Sequence, residues 1–179
     1  WYQTISHAYA DTAQYYSPSG YMDGFDDGIT NGYAWYRVAG GRQDYMNYWR
    51  SCREVTIEIS YTKLLPADQL PDLWEYNRAS LLQYLENALY GVRGTVTDLS
   101  TGLPIHARVT VVGHDDDSSE VYTDPDFGNY HRMIGPGTYA IEFSAPGFNS
   151  ETVSNVTVIE RQSLQLDVQL QAVAGSPDL

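Results

Sequence analysis

The stretch Glu54-Val55-Thr56-Ile57-Glu58-Ile59-Ser60-Tyr61 alternates without a break. Val55, Ile57, Ile59 and Tyr61 fall on one side of an extended chain; Thr56, Glu58 and Ser60 fall on the other. Successive side chains of a strand point to opposite faces, so the pattern predicts a strand with one apolar face. A single strand cannot make a sheet. Its neighbours in sequence read as helices and a long loop, so this strand is expected to pack in a sheet completed by residues outside the sequence.

Working outward, Asp68 to Tyr90 reads as a helix. Leu70, Leu73, Trp74, Leu81, Leu82, Leu85 and Leu89 form its stripe, Asp68 and Pro71 suit its start, and Gly91 suits the position just past its end. Upstream, Trp1, Ile5, Ala8, Tyr9, Ala13 and Tyr16 make a second helical stripe, closed by Ser17-Pro18-Ser19-Gly20. Residues 20–47 lie between, with Gly20, Gly24, Gly28, Gly32, Gly40 and Gly41 interleaved with Asp and Asn. Structureless segments this long are usually functional or disordered, and Tyr33, Trp35, Tyr36 and Tyr45 argue against disorder.

The character changes near Gly91. Strand candidates follow at 92–98, 106–113, 119–123, 129–134, 138–144, 150–158 and 163–170, separated by turns such as Gly135-Pro136-Gly137 and Ala145-Pro146-Gly147. Short strands at this spacing predict a β-sandwich. The expected organisation is an α/β fragment over residues 1–90, an all-β sandwich over 91–171 and an unstructured tail over 172–179.

Composition narrows the function. Ten Lys+Arg against 23 Asp+Glu give a net charge of -13 over 179 residues. Both halves share the deficit: 6 basic and 11 acidic side chains in residues 1–90, 4 and 12 in residues 91–179. Such a surface repels phosphate backbones, so no nucleic-acid partner is expected. No apolar run approaches the ~18 residues of a membrane span. The only cysteine, Cys52, rules out an internal disulfide framework and a zinc site of several thiolates. Sixteen Tyr and a single lysine, Lys63, lean towards an extracellular setting. Trp1-Tyr2-Gln3-Thr4 is neither an initiator sequence nor a signal peptide, so the chain reads as a piece of a longer protein.

Two residues stand out as candidates for chemistry. Glu58 is a strand carboxylate flanked by isoleucines. In a cleft it could serve as a general base, with partial desolvation raising its pKa; otherwise it is a solvated outer-face glutamate. Tyr36 precedes Arg37-Val38-Ala39-Gly40-Gly41 and is either a ligand-closing aromatic beside a glycine hinge or a packed loop residue. His7, His106, His114 and His131 show no metal-binding spacing. The run Asp115 to Glu120 reads as a calcium loop or a solvated turn, and it lacks the Gly and Glu spacing of an EF-hand. Asn155-Val156-Thr157 is the sole glycosylation sequon.

Three motifs in order resemble a known family: Gly28-Ile29-Thr30-Asn31-Gly32 to Trp35-Tyr36, Gly40-Gly41-Arg42-Gln43-Asp44-Tyr45 with Asn47-Tyr48, and Glu54-Val55-Thr56-Ile57-Glu58-Ile59-Ser60. The chain is similar to the zinc metallocarboxypeptidases, and its branch looks like that of carboxypeptidases D, E and N. The resemblance implies the C-terminal part of a catalytic domain, then a transthyretin-like sandwich. It implies that Glu58 is the catalytic glutamate, which activates a zinc-bound water and shuttles its proton. It makes Tyr36 the mobile tyrosine over the substrate's C-terminal residue, and Gln43 and Thr56 walls of the pocket for that residue's side chain, usually Lys or Arg. The partners implied are peptide or protein C-termini and the upstream part of the catalytic domain, in a secreted or periplasmic enzyme. The Zn2+ ligands and substrate-binding arginines of the family lie upstream, so no metal ligand is expected in this chain, which alone should be inactive. Arg53 stands where the family has an aromatic, and Ser60-Tyr61 lacks its second cysteine. The competing reading is a non-catalytic binding or structural module carrying a pseudoenzyme remnant.

Overall fold

Ile5, Tyr9, Ala10 and Ala13 recur along one face of α1 (Tyr2–Tyr15), and that is the face it buries. It packs on α4 (Leu70–Glu86), whose fully buried residues are Asn77 and Ser80. Small side chains on α1 let the helices come close enough for Ser80 Oγ to donate to the Tyr9 carbonyl at 2.9 Å. These helices belong to the first of two units, Trp1–Ala88 and Leu89–Leu179, into which the chain divides. The computed structural model describes residues 1–50, 52–116 and 118–174.

Two expectations for the first unit change. The leucine stripe of α4 is only partly its buried face: Leu73 and Leu81 are half-buried, while Leu82 and Leu85 are 62% and 67% exposed. The α1 contact instead takes the polar positions, because Asn77 and Ser80 can satisfy the Tyr9 hydroxyl and carbonyl there. Residues 54–61 form no strand. A strand exists only with a ladder partner, and none of the described residues supplies one. Between these parts lie α2 (Gly32–Trp35) and α3 (Arg42–Trp49), so the glycine-rich segment is partly helical. Helix α4 ends at Glu86, a 3-10 turn covers Asn87–Leu89, and Gly91 already opens the next strand rather than capping the helix.

In the second unit the strands are β1 (Gly91–Asp98), β2 (Arg108–Val111), β3 (Val121–Tyr122), β4 (Asn129–Arg132), β5 (Gly137–Ser144), β6 (Glu151–Val158), β7 (Ser163–Gln165) and β8 (Val168–Leu170). One sheet runs β4-β1-β7, with β8 also on β1; the other runs β3-β2-β5-β6. Strands β7 and β8 are parallel to β1, and the remaining pairs are antiparallel. Val92, Val96, Val109, Val111, Ile141, Phe143 and Leu170 interlock between the sheets.

The expected strand 163–170 splits at Leu166-Asp167. The Leu166 carbonyl passes over Gly94, where a Cβ would sit only 1.9 Å from the oxygen, and Asp167 Oδ1 accepts from Thr95 N at 2.8 Å. Order also runs past Gln171: Ala172 bridges Phe148, and Val173 N donates to the Gly147 carbonyl at 2.9 Å. Of the expected tail, residues 175–179 lie outside the described residues.

Candidate functional site

The G-I-T-N-G run is shaped by two demands. Gly28 has φ +93°, and a Cβ there would lie 2.2 Å from the Met22 carbonyl oxygen and 2.8 Å from Ala10 Cβ, so no side chain fits. Asn31 caps α2, its side-chain oxygen accepting from Tyr33 N at 3.1 Å. The turn carries Trp35 and Tyr36 forward. Tyr36 leaves it in an extended conformation and is exposed, with Gly40 at φ +74° a few residues on. Phe25, Trp35 and Tyr36 form a chain of edge contacts, with centroids 5.2 and 4.8 Å apart.

Side chains from α3, α4 and the loops hold residues 53–59 in place of a ladder. Tyr84 Oη donates to the Arg53 carbonyl at 2.6 Å. Asn47 grips both backbone groups of Glu54, accepting from its N–H at 2.9 Å and donating to its carbonyl at 2.8 Å. The Glu54 carboxylate pairs with Arg42 at 2.7 Å. Thr56 Oγ1 donates to Gln43 Oε1 at 2.6 Å, and Tyr21 Oη donates to the Ile59 carbonyl at 3.0 Å.

These parts enclose an open groove of about 960 Å3, all of it in the first unit. Tyr36, Gln43, Thr56 and Glu58 all line it. Glu58 is exposed to solvent there, and Gln43 and Thr56 form one hydrogen-bonded wall. Burial pushes the Tyr9 phenol up to about 12 and raises that of Tyr21, despite the hydrogen bond Tyr21 accepts from Asn77. Both therefore stay protonated donors around neutral pH.

Sequence reading missed Tyr21 and Asn77, and named Asn47 within a motif without giving it a role. For Asn77 the signal was available: a polar residue stands on the leucine side of α4, four positions from both Leu73 and Leu81. The calcium reading of Asp115 gives way to another arrangement. Its buried carboxylate pairs with Arg132 and accepts from Val111 N at 2.8 Å. Burial opposes the charge, yet the Val111 N–H, Arg132 and His114 outweigh it and hold this carboxyl below its ordinary value.

Residues 1–80 match the zinc carboxypeptidase family, and residues 91–171 match the carboxypeptidase regulatory-like domain. The chain belongs to the zinc carboxypeptidases. Carboxypeptidase D of Rattus norvegicus is 37% identical over 172 residues, 96% of this chain and 12% of that protein. Carboxypeptidase D of Anas platyrhynchos is 40% identical over 155 residues, 86% of this chain and 11% of the relative. The carboxypeptidase N catalytic chain of Homo sapiens is 39% identical over 136 residues, 76% of this chain and 29% of the relative. This carboxypeptidase segment thus spans between 11% and 29% of the length of these relatives. The fold agrees with that membership: a helical portion is followed by a sandwich.

Zinc is implied by the family. Among the described residues no three His, Cys, Asp or Glu side chains converge as a metal ion would require. Among them, too, no helix is long and apolar enough to cross a membrane.

Proposed function

We propose that this chain supplies the C-terminal part of the catalytic domain, and the sandwich that follows it, of a zinc carboxypeptidase removing single residues from peptide or protein C-termini. One observation carries the reading. Residues from three separate motifs, Tyr36, Gln43, Thr56 and Glu58, line the same groove.

Glu58 is the acid–base group. Its carboxylate takes a proton from the water that attacks the scissile carbonyl, and gives it to the amine that leaves, so the protons balance over one turnover. Tyr36, exposed and followed by Gly40, closes over the C-terminal residue. The paired Gln43 and Thr56 side chains form a polar wall for that residue's side chain. A preference for Lys or Arg is carried by resemblance to the carboxypeptidase D, E and N branch, as are a transthyretin-like form for the sandwich and a secreted or periplasmic location. The zinc would be held by residues outside this chain.

The test is Glu58→Gln in the longer protein that contains this segment, assayed on matched peptides ending in Arg and in Phe. Turnover should fall by about 10²–10⁴, the usual worth of general acid–base catalysis, with bound zinc unchanged by metal analysis. Near-parental turnover rejects the role of Glu58. An inactive parent protein would leave the non-catalytic module, and faster release of Phe than of Arg rejects the basic preference.

A further inference from the structure

The segment that carries Glu58 has no ladder, so its path depends on a few side-chain hydrogen bonds. Beyond Glu58 one of these is the bond from Tyr21 Oη to the carbonyl of Ile59, the next residue. Tyr21 does not reach it unaided. Asn77 Nδ2 donates to Tyr21 Oη at 2.6 Å and to the Leu73 carbonyl at 2.8 Å. Asn77 Oδ1 accepts from Tyr9 Oη at 3.0 Å. The ring of Tyr21 is steadied by an edge contact with Tyr76, centroids 5.3 Å apart.

The directions of these bonds are mutually dependent. Asn77 has one acceptor and two donor hydrogens, and all are engaged. Tyr9 must donate to the amide oxygen, which turns the amide nitrogen towards Tyr21. Tyr21 then accepts from Asn77, so its single proton is free for Ile59. The relay runs from α1 through α4 to the backbone beside Glu58. Asn77 is only 3% exposed. A buried amide is costly unless every bond is made, and a fully connected network is rigid. An apolar side chain would hold the two helices together but could not orient the Tyr21 hydroxyl.

We infer that Asn77, acting through the Tyr21 hydroxyl, positions Glu58 by fixing the Ile59 carbonyl next to it. The inference rests on the reading of Glu58 as the acid–base group. Asn77 and Tyr21 are positioning residues, because they act through the backbone rather than on the reacting atoms.

The test uses the full-length enzyme with Tyr21→Phe, which removes one oxygen and keeps the ring, alongside Asn77→Leu, Ser80→Ala and Glu58→Gln. Small displacements of a catalytic group are expensive, so Tyr21→Phe should lower kcat roughly ten- to a hundredfold. KM should stay close to the parent's, and the acid limb of the kcat/KM profile should move. Ser80→Ala breaks a bond to the backbone carbonyl of Tyr9 in the same helix interface and keeps every side-chain bond of the relay; it should lower Tm and leave kcat alone. Unchanged kcat in Tyr21→Phe while Glu58→Gln is inactive overturns the inference and spares the functional reading. Losses of kcat that merely follow losses of Tm across Tyr21→Phe, Asn77→Leu and Ser80→Ala also overturn it. Full activity of Glu58→Gln overturns the functional reading, and this inference with it. Should Asn77→Leu fail to fold, Tyr21→Phe and Ser80→Ala decide alone.

Discussion

Phe143, in the middle of the sandwich, is completely buried, while Trp74 on α4 leaves 57% of its surface in water. The contrast extends across the two units. Two sheets can cover each other, and the sandwich does so with valines, Ile141, Phe143 and Leu170 from six of its eight strands. In the first unit α1 and α4 cover one another over a narrow strip of Ile5, Tyr9, Ala10 and Ala13 with Asn77 and Ser80. Leu70, Trp74, Leu82 and Leu85 on α4 remain exposed. A contiguous apolar face of that kind marks a surface that another element covers. The sandwich therefore owes its stability to apolar packing within the unit. The segment that carries Glu58 owes its local order to hydrogen bonds.

The largest expected effect is in the sandwich core. Phe143→Ala should cost about 3–5 kcal/mol by denaturant unfolding, because the fully buried ring leaves a cavity between two sheets. A loss below ~1 kcal/mol would remove the distinction between the units.

Next comes the buried ion pair. Asp115→Asn removes the buried carboxylate that pairs with Arg132 and should cost about 3 kcal/mol at neutral pH, the lower end for a broken buried pair, since an amide oxygen can still accept from Val111. The pH dependence has a definite sign. The carboxyl titrates lower in the folded chain than in the unfolded one. Its contribution is thus complete above the unfolded value of about 4, and is lost as pH falls through the lowered folded value. The stability gap between parent and variant should close in acid. A gap that persists unchanged at pH 2 would contradict the assignment.

The smallest effect belongs to the exposed helix face. Leu85→Ser should change the stability of this chain by no more than about 0.5 kcal/mol. In the longer protein the same change should cost ~2 kcal/mol or more if another element covers Leu85. Equal effects in both would show that nothing covers α4.

Much of this was readable from residue patterns. The sandwich strands follow from alternation and turns, because a strand buried on one face writes its period into the sequence. Helices α1 and α4 follow from spacing. Glu58 and Tyr36 stood out from the strand pattern and the glycine hinge, and motif resemblance gave them roles and added Gln43 and Thr56. Several features were not readable. The pattern at 54–61 records a preference for extended structure, but a ladder depends on another segment being present. The stripe on α4 shows which residues are apolar, but not which partner they meet. Asp115 looked like one of a row of solvated acids until Arg132, seventeen positions away, took its carboxylate inside.

By itself the sequence determined the order of helical segment and sandwich, the family, and the identities of the four candidate residues, because these rest on local period and on motifs. Only the tertiary structure decided that those four share one groove, that the residues α4 buries completely are Asn77 and Ser80, and that a hydroxyl from Tyr21 holds the chain beside Glu58. Hydrogen bonds between residues as far apart as Tyr21 and Asn77 leave no period in a sequence; they exist only once the helices have met.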